Sequence, residues 1–573
     1  MAADFSKTYP KLDQVTRVID EYLSTTYPEF FGPEAIHPFL PLKRSKVIHD
    51  NLWGTNAFSW RELAVIDTPV LQRLRNIHQT GLAYFVYPCA HHMRFEHSLG
   101  VCVMASRVFD ALVRQQQTKL RKIAEEIYPK NKDFTNVVAD WRAELRLAAL
   151  LHDTGHSLHS HTSEIVYSKI PLLEGAAKEL SVFVGTTKGA GEVLSYCISR
   201  TDAIRSFLDR ARKKVRIGDE GDDEIDLENV SLLIVGRSKN PQLQFLGDII
   251  SSDLDSDKLD YLLRDATSAG LPLRYDLERY LYTVKIVERR LSDGEGRLQS
   301  LYRVMGSSPK RHEPSADIKY PFYQAFKLQL PRQAINTIEQ IIICKFMLSS
   351  YIYHHKKVRA AEGMLARLIR RAERNWRAQG MDDSKLIRKF LSLSDHSLDG
   401  DSFDLSDTDI SGYRNRILSR VLPREVVGLT SNIEHSENAK LSAFMSELLK
   451  KENTPRLTSS FEASLGSELL RLSPGLGNTP EEALTKAGAW FDAPKPPTFD
   501  KLEELLIEEE KITDIFPITS WIQAYMSYRY FVRVFSFSEY AELVRRAARR
   551  ACQEVIGIDD PKFVDALATR GDT

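Results

Sequence analysis

Leu150-Leu151-His152-Asp153-Thr154-Gly155-His156 is the stretch that decides the fold. An apolar helical run over 144–151 ends on a histidine-aspartate pair, and Gly155 just beyond supplies the ending. Neighbours on a helix point about 100° apart, so both side chains reach one ion only from a helix end or a widened turn. Upstream stands Arg94-Phe95-Glu96-His97-Ser98-Leu99-Gly100, and downstream Asp255-Ser256-Asp257-Lys258-Leu259-Asp260-Tyr261. His97, His152, Asp153 and Asp257 offer two imidazoles and two carboxylates, a set that suits a hard-to-borderline divalent metal. Mn, Fe, Zn and Mg all fit it, and a second ion would have to draw on His156 and His161. Such an ion lowers the pKa of a bound water and polarises a phosphoryl oxygen. The set points to metal-assisted hydrolysis of a phosphate ester.

Around these motifs the chain reads mainly helical. Residues 95–112 carry apolar residues at helical spacing, with His97 near the start. Residues 246–264 form a further helix on which Asp253, Asp257, Asp260 and Arg264 share a face. Leu254, Leu259, Leu262 and Leu263 pack that helix, so carboxylates at its inward edge need compensation. Residues 326–377 read as one or two long helices. A β-hairpin is expected from 282–287 and 298–305, joined by the Asp293-Gly294-Glu295-Gly296 turn. Two stretches read as loops, the acidic 214–226 and the Ser- and Asp-rich 392–411. The expected organisation is an N-terminal extension (1–44), a core (45–390), an acidic linker (391–411) and a helical C-terminal region (412–573).

Composition removes several classes of function. The 573 residues are 43% apolar, enough for a large core, and the 78 basic and 78 acidic residues cancel. No overall positive field favours nucleic acid or a membrane surface. Arg359, Arg367, Arg370, Arg371, Arg374 and Arg377 do crowd one helix, but Glu362 and Glu373 interleave, and a solvated face is the plainer reading. The most apolar helical run, 341–348, is too short to span a bilayer and is broken by Lys345. The start of the chain lacks the features of a signal peptide. Five scattered cysteines without a Cys-x-x-Cys pair fit a reduced, cytoplasmic setting. Histidine is distributed differently: eight of the 15 lie between His78 and His161, more than packing alone accounts for.

The motifs, together with Gln79, Tyr87-Pro88-Cys89-Ala90-His91-His92-Met93-Arg94 and Tyr353-His354-His355-Lys356, resemble the HD-domain phosphohydrolase superfamily. Within it they resemble the deoxynucleoside triphosphate triphosphohydrolases, over residues 45–375. The resemblance implies an all-helical HD bundle with a small β-hairpin insertion, and it implies roles. His97, His152, Asp153 and Asp257 match the metal ligands. Arg94, Lys258, His161 and Lys356 match positions that touch the triphosphate, where several cations are needed. Tyr261 and Asp265 match residues beside the sugar, Gln79 approaches the 3′-hydroxyl, and His355 joins the substrate-binding set. Tyr353 matches an aromatic that crowds the 2′ position and would reject a ribose hydroxyl. His156, with His161 and Asp153, makes up the catalytic set. It faces the scissile phosphate as proton donor or charge stabiliser, or else orients Asp153 from outside. His159 is less informative and reads as a surface residue as readily as a buried one.

One position departs from the pattern. The family carries a His-Glu pair at the start of the helix after this loop, and its histidine is the favoured proton donor. Here the alignment gives Gly189-Ala190-Gly191-Glu192, with Gly191 in the histidine's place. Either the register differs, His156 or another residue is the donor, or the activity is altered. The expected reaction is hydrolysis of a deoxynucleoside triphosphate to deoxynucleoside and triphosphate, by attack of metal-activated water on the α-phosphorus. One alternative is an HD-type hydrolase of another nucleotide, whether cyclic, oligonucleotide or guanosine polyphosphate. Another is a nucleotide-sensing protein with a degenerate site. The resemblance further implies a homo-oligomer that responds to a nucleotide effector.

Overall fold

The computed structural model describes residues 2–32, 35, 45–128, 132–214, 225–293, 296–305, 307, 309–314, 320–430, 438–450, 452–494, 506–508, 510–518, 520–521, 524 and 531–558. Its centre is a helical bundle. The Arg94–Ile127 helix packs against Phe134–Leu151 and Ser256–Ser268, through Val101, Met104, Val108, Phe109 and Leu112 on its buried face. Gly100 permits this contact, because a β-carbon there would collide with the Asp260 carboxylate and the Arg264 guanidinium. The helix bends at Gln116, whose side-chain amide pairs with the backbone of Ile286. The N-terminal Pro10–Thr26 helix joins the same core through Leu12, Val15, Ile19 and Leu23.

The fold is mainly helical, as read from the sequence, but several elements differ in detail. Residues 246–264 form two helices, Gln244–Ile250 and Ser256–Ser268. The break falls where Asp255 caps the second helix, its carboxylate accepting the Lys258 amide at 2.8 Å. The β insertion does not follow the expected hairpin. Lys285–Ser292 is a strand, but Arg297–Val304 is a helix, and the strand pairs antiparallel with Phe322–Gln329. Leu301, Tyr302 and Val304 are buried at helical spacing, so that segment gains more from one packed face than from a ladder. Arg311–His312 lies on the far edge of Phe322–Gln329. The expected 326–377 helical stretch therefore opens as strand, then runs through Ile335–Leu348, a π-turn at Ser349–Tyr353, and Lys356–Ala378.

The 392–411 stretch is not an open loop. Leu393, Leu398 and Phe403 are buried in the main core, and Asp395–Leu398 forms a 3₁₀ turn. Most of 214–226 lies outside the described residues. Beyond it, a second apolar core gathers Val427, Phe444, Phe461, Leu465, Phe491 and Val534. Its helices flank a three-stranded sheet with Val532–Ser536 between Arg424–Leu429 and Trp490–Asp492, so the C-terminal region is not purely helical.

The arginine-rich face of Lys356–Ala378 meets this second region. Arg359 reaches Asp492 and Glu362, Arg367 reaches Glu462, Arg371 reaches Asp407, and Arg374 reaches Glu481. Arg377 pairs with Glu373 and Asp383. These cations serve intramolecular docking. The ring of Trp490 lies on Gly363, where a β-carbon would stand 2.6 Å from its Cε2.

Candidate functional site

Three helices converge on one cluster. Phe134–Leu151 ends at His152, and Asp153 follows in the turn. His97 sits in the first turn of Arg94–Ile127, and Asp257 in the first turn of Ser256–Ser268. His97 Nε2 lies 3.1 Å from Asp257 Oδ1 and 3.6 Å from Asp153 Oδ2. His152 Nε2 lies 3.6 Å from Asp153 Oδ1 and 4.0 Å from Asp257 Oδ1. Ligands bonded to one ion at about 2.0–2.2 Å stand roughly 3–4 Å from one another; His97, His152 and Asp153 each bring one ligand atom within 4.8 Å of the others, and Asp257 stands beside them at coordination-shell distance from both rings.

The outer contacts fix both imidazoles in the matching tautomer. His97 Nδ1 is 2.8 Å from Asp260 Oδ2, and His152 Nδ1 is 2.7 Å from the Ala149 carbonyl. Each ring is therefore protonated away from the cluster and turns Nε2 into it. His152 Nε2 is buried and makes no hydrogen bond. A buried polar atom without a partner, aimed at two carboxylates, is what a cation would satisfy, so these residues fit a divalent ion. The same carboxylates favour positive charge at this point, whether a second proton on His97 or a bound cation. Burial would lower the pKa of His97, but Asp257, Asp260 and Asp153 outweigh it and push it up to about 10. Burial would raise Asp153, yet Arg94, His152 and His156 hold it well below the usual carboxylate range.

The sequence-predicted substrate residues fall into three groups. Arg94 is buried, 2.5 Å from Asp153 through Nη1 and 2.8 Å from Ser160 Oγ through Nε, and its Nη2 is left without a partner. Beside the cluster, Asp265 accepts the Tyr353 hydroxyl at 2.5 Å and stands 2.8 Å from His92 Nε2. Tyr261 and Asp257 lie within electrostatic reach of Tyr353. Gln79 enters the same wall, since its backbone N–H donates to the His92 carbonyl at 3.0 Å while its side-chain oxygen is buried and unpaired. Lys258, by contrast, holds Asp255 and the Ser252 carbonyl, each at 2.8 Å. His355 caps Lys356–Ala378 by accepting the Lys357 amide. Lys356 opens that helix.

His156 and His161 form a pair, rings edge-on at 5.0 Å. His156 Nε2 is 3.3 Å from Asp153 Oδ1; His161 is exposed and lies 2.9 Å from Glu164 Oε2. Gly191 is explained here. The His156 ring fills the space above it, so a β-carbon at 191 would stand 2.7 Å from Cε1. Arg73 fixes the turn that carries His156, donating to the carbonyls of Thr154 and His156 at 2.8 and 2.7 Å.

Sequence reading gave no role to Asp260, His92, Arg73 or Glu164. Two carried a signal: Asp260 by its position on the face of Asp253, Asp257 and Arg264, and His92 by lying in the Tyr87–Arg94 motif. His159 is resolved as buried, 2% exposed.

No protein-family model matches the chain. An uncharacterized protein of Methanocaldococcus jannaschii is 30% identical over 359 residues, 62% of this chain and 56% of that protein. The deoxynucleoside triphosphate triphosphohydrolase SAMHD1 homolog of Dictyostelium discoideum is 27% identical over 281 residues, 47% of this chain and 46% of that protein. SAMHD1 of Bos taurus is 31% identical over 255 residues, 42% of this chain and 39% of that protein. The chain spans about half the length of the curated relatives it matches, or less. In structure it is similar to a hypothetical protein from Aquifex aeolicus, with a TM-score of 0.52 at 19% identity, covering 88% of this chain and 99% of that one. That likeness bears on the fold, and the sequence matches bear on descent. Over the 42–47% of its length that they match, the chain is a homologue of the SAMHD1 deoxynucleoside triphosphate triphosphohydrolases, and its His-Asp motifs are consistent with an HD-domain protein.

Proposed function

We propose that this chain hydrolyses deoxynucleoside triphosphates to deoxynucleoside and triphosphate. The observation that carries the reading is the convergence of His97, His152, Asp153 and Asp257 beside the Tyr353–Asp265–His92 wall. These four residues would hold a divalent ion, Mn, Fe, Zn or Mg, which when bound supplies a water of lowered pKa and polarises the phosphate. Arg94 keeps Asp153 ionised and offers its remaining Nη2 to a phosphate oxygen. Tyr353, held by Asp265, stands where a 2′-hydroxyl would have to displace it, and Gln79 offers its amide to the sugar. His156 occupies the room that a side chain at 191 would need, and with His161 it handles the proton at the leaving oxygen. Lys258, Tyr261, His355 and Lys356 complete the proposed substrate set. A homo-oligomer with a nucleotide effector belongs to the same reading, and light scattering with and without nucleotide checks it.

The test is to incubate the protein with each deoxynucleotide and Mn or Mg and to separate the products, with Asp153→Ala as control. Nucleoside plus triphosphate, lost in the control, is the expected outcome. Pyrophosphate plus monophosphate, or no nucleoside at all, would overturn the proposal. In the first of those cases another nucleotide hydrolase replaces it; bound metal without turnover would point to a sensor.

A further inference from the structure

A second group of metal-ligating side chains lies behind the Arg94 wall. His78, His159 and Asp395 each bring one ligand atom within 4.8 Å of the others. His78 Nδ1 is 2.6 Å from Asp395 Oδ2, and His159 Nδ1 is 3.4 Å from the same oxygen. The amides of His78 and His159 donate to the two Asp395 oxygens at 2.8 and 2.5 Å, which fixes the carboxylate between the rings. A third imidazole lies on the outer side of the His78 ring, with His91 Nδ1 3.3 Å from His78 Nε2. Tyr84 walls it, its ring 4.6 Å from that of His78 and 4.7 Å from that of His91.

A hydrogen-bonded cluster is the ordinary explanation of buried histidines, and at His159 it is weak, since the ring reaches Asp395 only at 3.4 Å and otherwise meets the Gly81 backbone. The residue is 2% exposed, and neither ring nitrogen makes a well-formed hydrogen bond. Buried groups whose hydrogen bonds are unmet destabilise the fold unless another partner takes them. The chain also turns through the left-handed region at His159 and Ser160, with φ of 46° and 57°, to carry the imidazole inward. Imidazoles with one carboxylate suit zinc and its first-row neighbours.

We propose that His78, His159 and Asp395 bind a zinc-class divalent ion at a site separate from the His97 cluster, with His91 orienting the His78 ring from its outer nitrogen. The ion staples the 391–411 stretch to the substrate wall. Behind it, the Ser160 hydroxyl donates to the His78 carbonyl and accepts from Arg94 Nε, and Gln79 follows His78 directly. The inference does not rest on the proposed reaction.

The test uses the full chain, stripped with chelator and titrated with Co²⁺ alone. Bound metal is counted by mass spectrometry and the visible absorption of Co²⁺ is recorded. Wild type should hold one equivalent more than Asp395→Asn, while Asp257→Ala loses a different equivalent and keeps the band that Asp395→Asn loses. His91→Ala, altered at an exposed ring, should bind that equivalent at least about tenfold more weakly. Loss in a folded Asp395→Asn alone keeps the site and removes His91 from it. If Asp395→Asn does not fold by circular dichroism, His91→Ala decides. Equal stoichiometry and affinity in wild type and the folded variants overturns the proposal.

Discussion

Asp260 is the residue on which the His97 ring depends. It fixes that ring through Nδ1 while holding Arg264 at 2.7 Å and accepting the Trp53 indole at 2.5 Å. Replacing it by Asn leaves the four inner side chains in place but loosens the imidazole, so Asp260→Asn should weaken Mn²⁺ affinity by about 10–100-fold, read by calorimetric titration. Gly191 makes the complementary point. A methyl there must push the His156 ring aside, so Gly191→Ala should cost about 1–3 kcal/mol in urea unfolding and lower turnover at least tenfold. Unchanged turnover would separate His156 from the chemistry. The inner residues were legible in the sequence because His-Asp at a helix end has few other uses. The absent histidine at 191 was legible too, but not its cause, since the close approach of His156 is a fact of packing between distant segments.

At the scale of elements, the Phe134–Leu151 helix carries a titratable group far from the cluster it ends in. Glu144 is buried, accepts from Asn229 Nδ2 at 2.7 Å and from the Asp226 amide at 2.9 Å, and burial pushes its pKa up to about 8. The folded protein therefore binds a proton here that the unfolded chain releases near the ordinary value of 4.5. Its favourable contribution is present below that value and is lost as pH rises through about 8. Glu144→Gln should remove the dependence, so the two proteins, compared by urea unfolding, should diverge between pH 5 and 8, with the variant gaining on wild type as pH rises. Helix periodicity found the main elements because long amphipathic faces announce themselves. The β insertion was misread at 298–305, where eight residues fit either period and only the neighbours available for pairing decide.

At the scale of the molecule, two apolar cores meet across the arginine face of Lys356–Ala378. Trp490 is the anchor, 2% exposed, stacked on Gly363 and under the Arg367 guanidinium at 4.7 Å. Trp490→Ala should cost about 3–5 kcal/mol and split a single thermal transition into two, seen by calorimetry. A single shifted transition would mean the cores stay coupled without it. The sequence showed the charges of this face but not their partners, which are supplied by Asp407, Glu462, Glu481 and Asp492 from beyond the helix. Among the described residues no helix is long and apolar enough to cross a membrane.

The Asp395 carboxylate that closes on His78 lies 317 residues further along the chain. At roughly 5–20 residues per second, a ribosome needs on the order of 15–60 s to make that stretch. Over the last 236 residues of that stretch, once His159 has been made, the nascent His78 pocket has its imidazoles but not their carboxylate. Completion of this wall thus waits on elongation, and a pause in translation before residue 395 would prolong the incomplete state without altering one residue of the finished protein.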